Sequence, residues 1–179
     1  MAAVGVYCSS SNLIPNSYIR CAAELGSKLV KQGHTVIYGG ASVGMMGALA
    51  NSALDNGGIV HGIITQDLVE YEVAHDGLSS LKVVSTMHAR KNALLNASDY
   101  IICLPGGTGT MEEFFEAISW KQMGIHEKPI YLLNKDKFYD HLLKFIENSK
   151  NEKFLPNTKK CFSVFKTIDK LLTAINSMH

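Results

Sequence analysis

Short, nearly unbroken apolar runs recur along the chain, each followed by a glycine-rich or polar break and then by apolar residues at three-and-four spacing. Such runs are expected of parallel strands covered on both faces, and such spacing of the helices that cover them. The runs predict strands at Ala3 to Cys8, His34 to Tyr38, Ile59 to Ile64, Lys82 to Val84, Tyr100 to Leu104 and Pro129 to Leu133, with an edge strand at Cys161 to Val164. Helices are predicted from about Asn16 to Lys31, ending at Gly33, and from a glycine loop at 39–47 to about Asn56. Further helices are predicted from Ser85 to Leu95, from near Thr110 to near Gly124, from Tyr139 to Glu147 and from Ile168 to Ile175. Alternation throughout gives one doubly wound, Rossmann-like α/β domain over residues 1–179, a parallel sheet with helices on both faces. One stretch escapes the pattern. Residues 65–80 have no clear period, and Glu70, Tyr71, Glu72, His75 and Asp76 make them polar, so they form either a lid or a solvated connection.

Two strand-to-helix junctions consist largely of glycine. After Tyr100 to Leu104, Pro105 ends the strand and Gly106, Gly107 and Gly109 let the chain turn into a helix whose apolar face is Met111, Phe114, Phe115 and Ile118. The first turn of a helix leaves backbone N–H groups unpaired and its dipole favours negative charge, so a phosphate is the natural guest. No Lys-Ser/Thr follows the glycines and the spacing is not Gly-x-Gly-x-x-Gly, which excludes the two better-known phosphate loops. Thr110 and Glu113 have the spacing of a capping box; Glu113 is alternatively a catalytic carboxylate, with Glu112 facing solvent. The other loop, first in chain order, Gly39-Gly40-Ala41-Ser42-Val43-Gly44-Met45-Met46-Gly47, either frames the same crevice or allows close helix-to-sheet packing. Ser9, Ser10, Ser11 and Asn12, at the end of the first strand, are ligand donors or turn residues.

Arg90 and Lys91 fall on or beside the buried stripe of their helix, marked by Met87, Leu94 and Leu95, and a cation there snorkels out or has an anionic partner. For Arg90 that partner is Glu113 or a ligand phosphate; the planar guanidinium suits bidentate phosphate binding, which favours the second. His88 has no metal-ligand spacing with any His or Cys and is read as structural.

Composition narrows the picture. A chain of 179 residues, 46% hydrophobic, builds one well-covered core and not two ordinary domains. A net charge of +1 with scattered basic residues gives no reason to expect nucleic acid or a membrane surface as partner. Cys8, Cys21, Cys103 and Cys161 form no Cys-x-x-Cys pair and are read as reduced. With no apolar run of membrane-helix length and no signal-peptide pattern, the expected location is cytoplasmic.

Pro105-Gly-Gly-Thr-Gly-Thr-Met-Glu-Glu113 matches Pro-Gly-Gly-x-Gly-Thr-x-x-Glu, and Met87-His-Ala-Arg-Lys91 matches Met-His-x-Arg-Lys. In this order and spacing the pair resembles the LONELY GUY (LOG) type cytokinin riboside 5'-monophosphate phosphoribohydrolases. The similarity runs from Val6-Tyr-Cys-Ser-Ser10 through Gly44-Met-Met-Gly47 to Leu132-Leu-Asn134. It implies hydrolysis of the N-glycosidic bond of a nucleoside 5'-monophosphate, without metal or organic cofactor, by a homodimer whose active site lies near the subunit interface. By motif position it implies Arg90 and Glu113 as the catalytic pair. It further implies Glu72, Lys91, Gly106, Gly107, Thr108, Gly109, Thr110, Met111, Glu112 and Ser119 as substrate contacts. Some members have been labelled lysine decarboxylase, a label for which this chain offers no pyridoxal-phosphate reason. The chain departs from the family pattern at Ser9 and Thr108, where glycine and often tyrosine stand, and at Glu70-Tyr71, where Pro-Arg is common. These departures leave open whether the base is isopentenyladenine, adenine or another. The competing expectation is a non-catalytic nucleotide or molybdenum-cofactor carrier-like protein, which has no need of a carboxylate at Glu113.

Overall fold

A computed structural model describes residues 1–71, 73–155 and 161–177, and of residues 70 and 71 only the backbone. Its strands are β1 (Ala3–Tyr7), β2 (Thr35–Tyr38), β3 (Val60–Thr65), β4 (Ser80–Val84), β5 (Tyr100–Cys103), β6 (Ile130–Leu133) and β7 (Ser163–Phe165). The helices are α1 (Asn16–Lys31), α2 (Gly44–Asp55), α3 (Gln66–Tyr71), α4 (Met87–Ala97), α5 (Thr108–Gln122), α6 (Asp140–Asn151) and α7 (Ile168–Asn176). All seven strands pair in parallel, in the order β4-β3-β2-β1-β5-β6-β7.

Side chains alternate between the two faces. Val4, Val6, Val36, Tyr38, Ile102 and Tyr131 join one buried cluster with residues of α1, α2 and α7. Tyr7, Ile37, Ile101, Cys103, Ile130 and Leu132 join a second with residues of α4, α5 and α6. This period of two is what lets an unbroken apolar run serve two cores. The four cysteines are buried, and none is in a disulfide.

The sheet order rises outward in both directions from the β1/β5 boundary. There the connections leave toward opposite sides, which opens a crevice at the carboxyl ends of those two strands. Residues 65–80 turn out to hold the short helix α3, then a segment pinned to the first glycine loop. The amide of Ser42 donates to the Val73 carbonyl at 2.9 Å, and that of His75 to the Gly40 carbonyl at 2.9 Å. The buried His75 ring adds a bond to Asn51 Oδ1 at 2.9 Å, while its Nδ1 accepts from the Gly77 amide at 3.1 Å.

Candidate active site

The crevice is a cleft of about 260 Å³. Cys8, Ser9 and Ser10 line it from the end of β1, Gly107 to Thr110 from the first turn of α5, and Met87 and Arg90 from α4. Met46 of α2 and Leu68 of α3 complete the apolar part, and Glu112 and Glu113 the acidic part.

Helix α5 starts at Thr108, two residues earlier than expected, with Gly107 as its extended N-cap. Its first bond runs from the Met111 amide to the Gly107 carbonyl at 3.0 Å. The amides of Thr108, Gly109 and Thr110 precede that bond and have no carbonyl within the helix to meet. A Cβ on Gly107 or Gly109 would find nothing within 4 Å, so open space lies in front of the turn. A Cβ on Gly106 would instead collide with the Thr110 side chain. The capping-box reading therefore fails: Thr110 lies inside the helix, buried against Gly106, and is not the N-cap.

The buried stripe of α5 is Thr110, Glu113, Phe114, Ala117 and Ile118, at spacings of three, four, seven and eight. Phe115, expected on that stripe, is 36% exposed, and Met111 is half-buried. The stripe begins with two polar residues because its amino-terminal end faces the cleft. Phe114 anchors the helix, fully buried with ring centroids 5.6 Å from Phe115 and 5.1 Å from Phe162. Glu113 is only 8% exposed. Burial raises the Tyr7 hydroxyl well above its ordinary value, and the Glu113 charge adds to that.

Helix α4 mirrors this arrangement. Thr86 caps it by accepting from the Ala89 amide at 3.1 Å, and its buried residues are Arg90, Lys91, Leu94 and Leu95. Backbone carbonyls hold Arg90: Nε donates to Ile63 O at 3.0 Å and Nη2 to Gly39 O at 2.9 Å. These partners went unforeseen, because no sequence pattern announces a carbonyl at a strand end. A Cβ on Gly39 would collide with Nη2, so that glycine makes room for the guanidinium. Lys91 finds the anionic partners a buried cation needs: its Nζ lies 2.8 Å from Glu112 Oε1 and 2.7 Å from Glu116 Oε2. Glu112, expected to face solvent, keeps 58% of its side chain exposed and also lines the cleft.

Of the residues the resemblance implies, Arg90, Gly107, Thr108, Gly109, Thr110, Glu112 and Glu113 meet in the cleft. Gly106, Lys91 and Met111 do not line it; Gly106 lines an adjoining apolar pocket with Ser9, Gly107, Tyr18 and Phe138. Ser119 lies further along α5 in an apolar groove, with Phe115, Phe145 and Phe154. Glu72 lies outside the described residues. Leu68 was missed; its segment carries no period that would have marked it. The serine cluster divides: Ser9 Oγ accepts from the Ser11 amide at 3.1 Å and Ser11 Oγ from the Leu13 amide at 3.2 Å, which are turn contacts, while Ser9 and Ser10 also line the cleft. His88 is exposed.

Among the described residues no group of three or more His, Cys, Asp or Glu could hold a metal ion. No described helix is long and apolar enough to cross a membrane.

A family described as "possible lysine decarboxylase" matches residues 46–178. Among the described residues no lysine lines the cleft, and Lys91, next in sequence to Arg90, is held by two carboxylates, so that description finds no support in the geometry. A cytokinin riboside 5'-monophosphate phosphoribohydrolase of Rhodococcoides fascians is 42% identical over 97% of this chain and 89% of its own length. A rice (Oryza sativa subsp. japonica) protein of the same name is 43% identical over 84% of this chain, which spans 62% of that relative's length. The molybdenum cofactor binding protein of Rippkaea orientalis superposes with a TM-score of 0.76 over 98% of this chain and 96% of its own. At 22% identity that likeness shows a shared fold. The chain belongs to the family of the cytokinin riboside 5'-monophosphate phosphoribohydrolases.

Proposed function

We propose that the cleft hydrolyses the N-glycosidic bond of a nucleoside 5'-monophosphate, giving free base and ribose 5-phosphate. The observation that carries the reading is a buried carboxylate, Glu113, lining the same cleft as an unobstructed helix amino-terminus. The amides of Thr108, Gly109 and Thr110 hold the phosphate, which anchors the substrate away from the bond that breaks. Cleavage builds positive charge on the sugar. Glu113 stabilises that charge and orients the attacking water, as carboxylates do in glycosidases. Arg90 contributes charge and hydrogen bonds from a guanidinium already oriented by the carbonyls of Ile63 and Gly39. A carrier has no use for a buried carboxylate at this spot.

We further propose that the protein works as a cytoplasmic homodimer. Four cysteines outside any disulfide suit a reducing compartment. The exposed Phe115, Phe145 and Phe154 around the groove that holds Ser119 form an apolar face suited to a second copy. On that arrangement Ser119 contacts substrate only at the subunit interface.

The test is chromatographic: wild type and Glu113→Gln are incubated with AMP and with isopentenyladenosine monophosphate. Free base from wild type alone is the expected result, and the ratio between substrates defines the base preference. Tight binding with the nucleotide recovered intact would replace the hydrolase by a carrier. Equal loss of melting temperature and activity in Glu113→Gln would make that carboxylate a structural group.

A further inference from the structure

Residues 73–77 hold a strained backbone against the loop at 39–47. Val73, a β-branched residue, sits at φ 49°, in the left-handed region that favours glycine, and such a conformation persists only where its surroundings enforce it. Here the enforcement is a one-rung antiparallel bridge, Ala41 opposite Ala74, closed by the bonds from the Ser42 amide to Val73 O and from the His75 amide to Gly40 O. The Ser42 hydroxyl adds another bond to Val73 O, at 2.7 Å. His75 completes the clasp with a ring that is buried and whose tautomer its contacts dictate. Nδ1 accepts from the Gly77 amide at 3.1 Å, so Nε2 carries the proton and donates to Asn51 Oδ1 at 2.9 Å. A second proton has only Nδ1 to occupy, where it would face the Gly77 N–H and turn a buried ring into a cation. Among the described residues of the segments bonded to the ring, the other titratable side chains are Asp55, at the end of α2, and Asp76, both exposed to screening solvent. One residue before Gly40, the Gly39 carbonyl receives Arg90 Nη2 at 2.9 Å.

We propose that His75 is a positioning residue: its neutral ring latches residues 73–77 onto the loop at 39–47 and so keeps the Gly39 carbonyl where it orients Arg90, and protonation of the ring releases that hold. This rests on the reading of Arg90 as part of the reacting site. The latch is complete while the ring is neutral and is lost as pH falls through its titration, so activity carries an acid limb that belongs to a residue outside the cleft wall.

The test compares wild type with His75→Asn and His75→Ala across about pH 5 to 8, the range in which an imidazole ordinarily titrates. Turnover of AMP, the His75 ring nitrogens and the Arg90 Nε–H resonance by NMR, and amide hydrogen exchange corrected for its intrinsic pH dependence are followed together. In wild type, kcat falls about tenfold as the ring protonates, part of the 100-fold that a 1 Å misplacement costs, while KM moves by less than about threefold. At the same midpoint the Gly77 and His75 amides lose protection and the Arg90 Nε–H signal broadens. His75→Asn places an amide oxygen near the position of Nδ1, so it keeps the Gly77 bond, stays within about threefold of the wild-type kcat and shows no step at that midpoint. His75→Ala has the low kcat throughout. Where the alanine variant fails to fold, wild type and His75→Asn decide alone. A step retained in His75→Asn, a fall in kcat with Gly77 still protected, or a change confined to KM would each overturn the proposal. Wild type that cleaves nothing removes the proposed hydrolysis; the latch then stands if Gly77 protection and the Arg90 signal change together with the ring, and falls if they do not.

Discussion

The two glycine loops have similar composition and opposite uses. At 39–47 every glycine is filled in: a Cβ on Gly39 meets Arg90, on Gly40 Leu81, on Gly44 the Ser10 backbone at 2.5 Å, and on Gly47 the Ser42 carbonyl. The amides that open α2 are already bonded, Gly44 to Asn12 Oδ1 at 2.8 Å and Met45 to Ser9 O at 3.0 Å. At 106–109 only Gly106 is crowded, and Gly107 and Gly109 face empty space before a free helical turn. One loop uses glycine to bring the backbone of α2 against the end of β1. The other uses it to leave room. A glycine-rich strand-to-helix turn is thus no evidence of a ligand until the fate of its amides and of its missing side chains is known.

Substitutions at equivalent glycines break this comparison most directly. The largest stability effect is expected at Gly47→Ala, where the methyl has only backbone to displace: a loss of about 3 kcal/mol, or about 6–12 °C in melting temperature, measured by calorimetry. Gly39→Ala is next. Its methyl meets the tip of a flexible side chain, so the fold survives, but the displaced Arg90 lowers kcat about 100-fold with little change in AMP affinity. A large fall in affinity would show that the first loop holds substrate as well. Gly109→Ala should do the reverse, weakening AMP about tenfold in a titration while leaving the melting temperature level or slightly raised, because alanine is the better helix residue. A melting temperature that fell as far as that of Gly47→Ala would erase the distinction between the loops.

The smallest effect concerns His126, beyond the carboxyl end of α5. Its Nε2 lies 2.9 Å from Ala117 O and its Nδ1 accepts from the Lys128 amide at 3.1 Å. Burial lowers its pKa, partly offset by the bond to Ala117. The neutral ring belongs to the folded state, so its contribution is complete above the unfolded value of about 6.5 and is lost as pH falls through the lowered folded value. Melting temperatures of wild type and His126→Gln should converge by about 1–2 °C between pH 7.5 and pH 5.5.

The order of strands and helices was legible because buried parallel strands write themselves as apolar runs of few residues. Tyr100 to Leu104 and Pro129 to Leu133 each fall within a residue or so of the observed strand. The stripe of α5 was read one step off, since its first two buried positions are Thr110 and Glu113, and polar residues buried toward a cleft are invisible to a hydrophobic pattern. The spacing did bring Arg90 and Glu113 into view, and both line the cleft. What holds Arg90 was not legible, because Ile63 and Gly39 act through carbonyls that every residue possesses. Helix α3 was hidden for another reason: six residues are too few to establish a period.

The pin at His75 bears on traffic through the cleft. Because Val73 and His75 are fastened to the first glycine loop, and Asn51 holds the imidazole from beneath, the roof cannot swing as one long flap. Between β3 and that pin the described residues hold one short helix, α3, which carries Leu68 into the cleft wall. Excursions of so short an element belong to the nanosecond-to-microsecond range, far faster than common turnover. On the proposed hydrolysis, exchange of nucleotide and free base past this helix is then expected to be fast relative to cleavage of the bond.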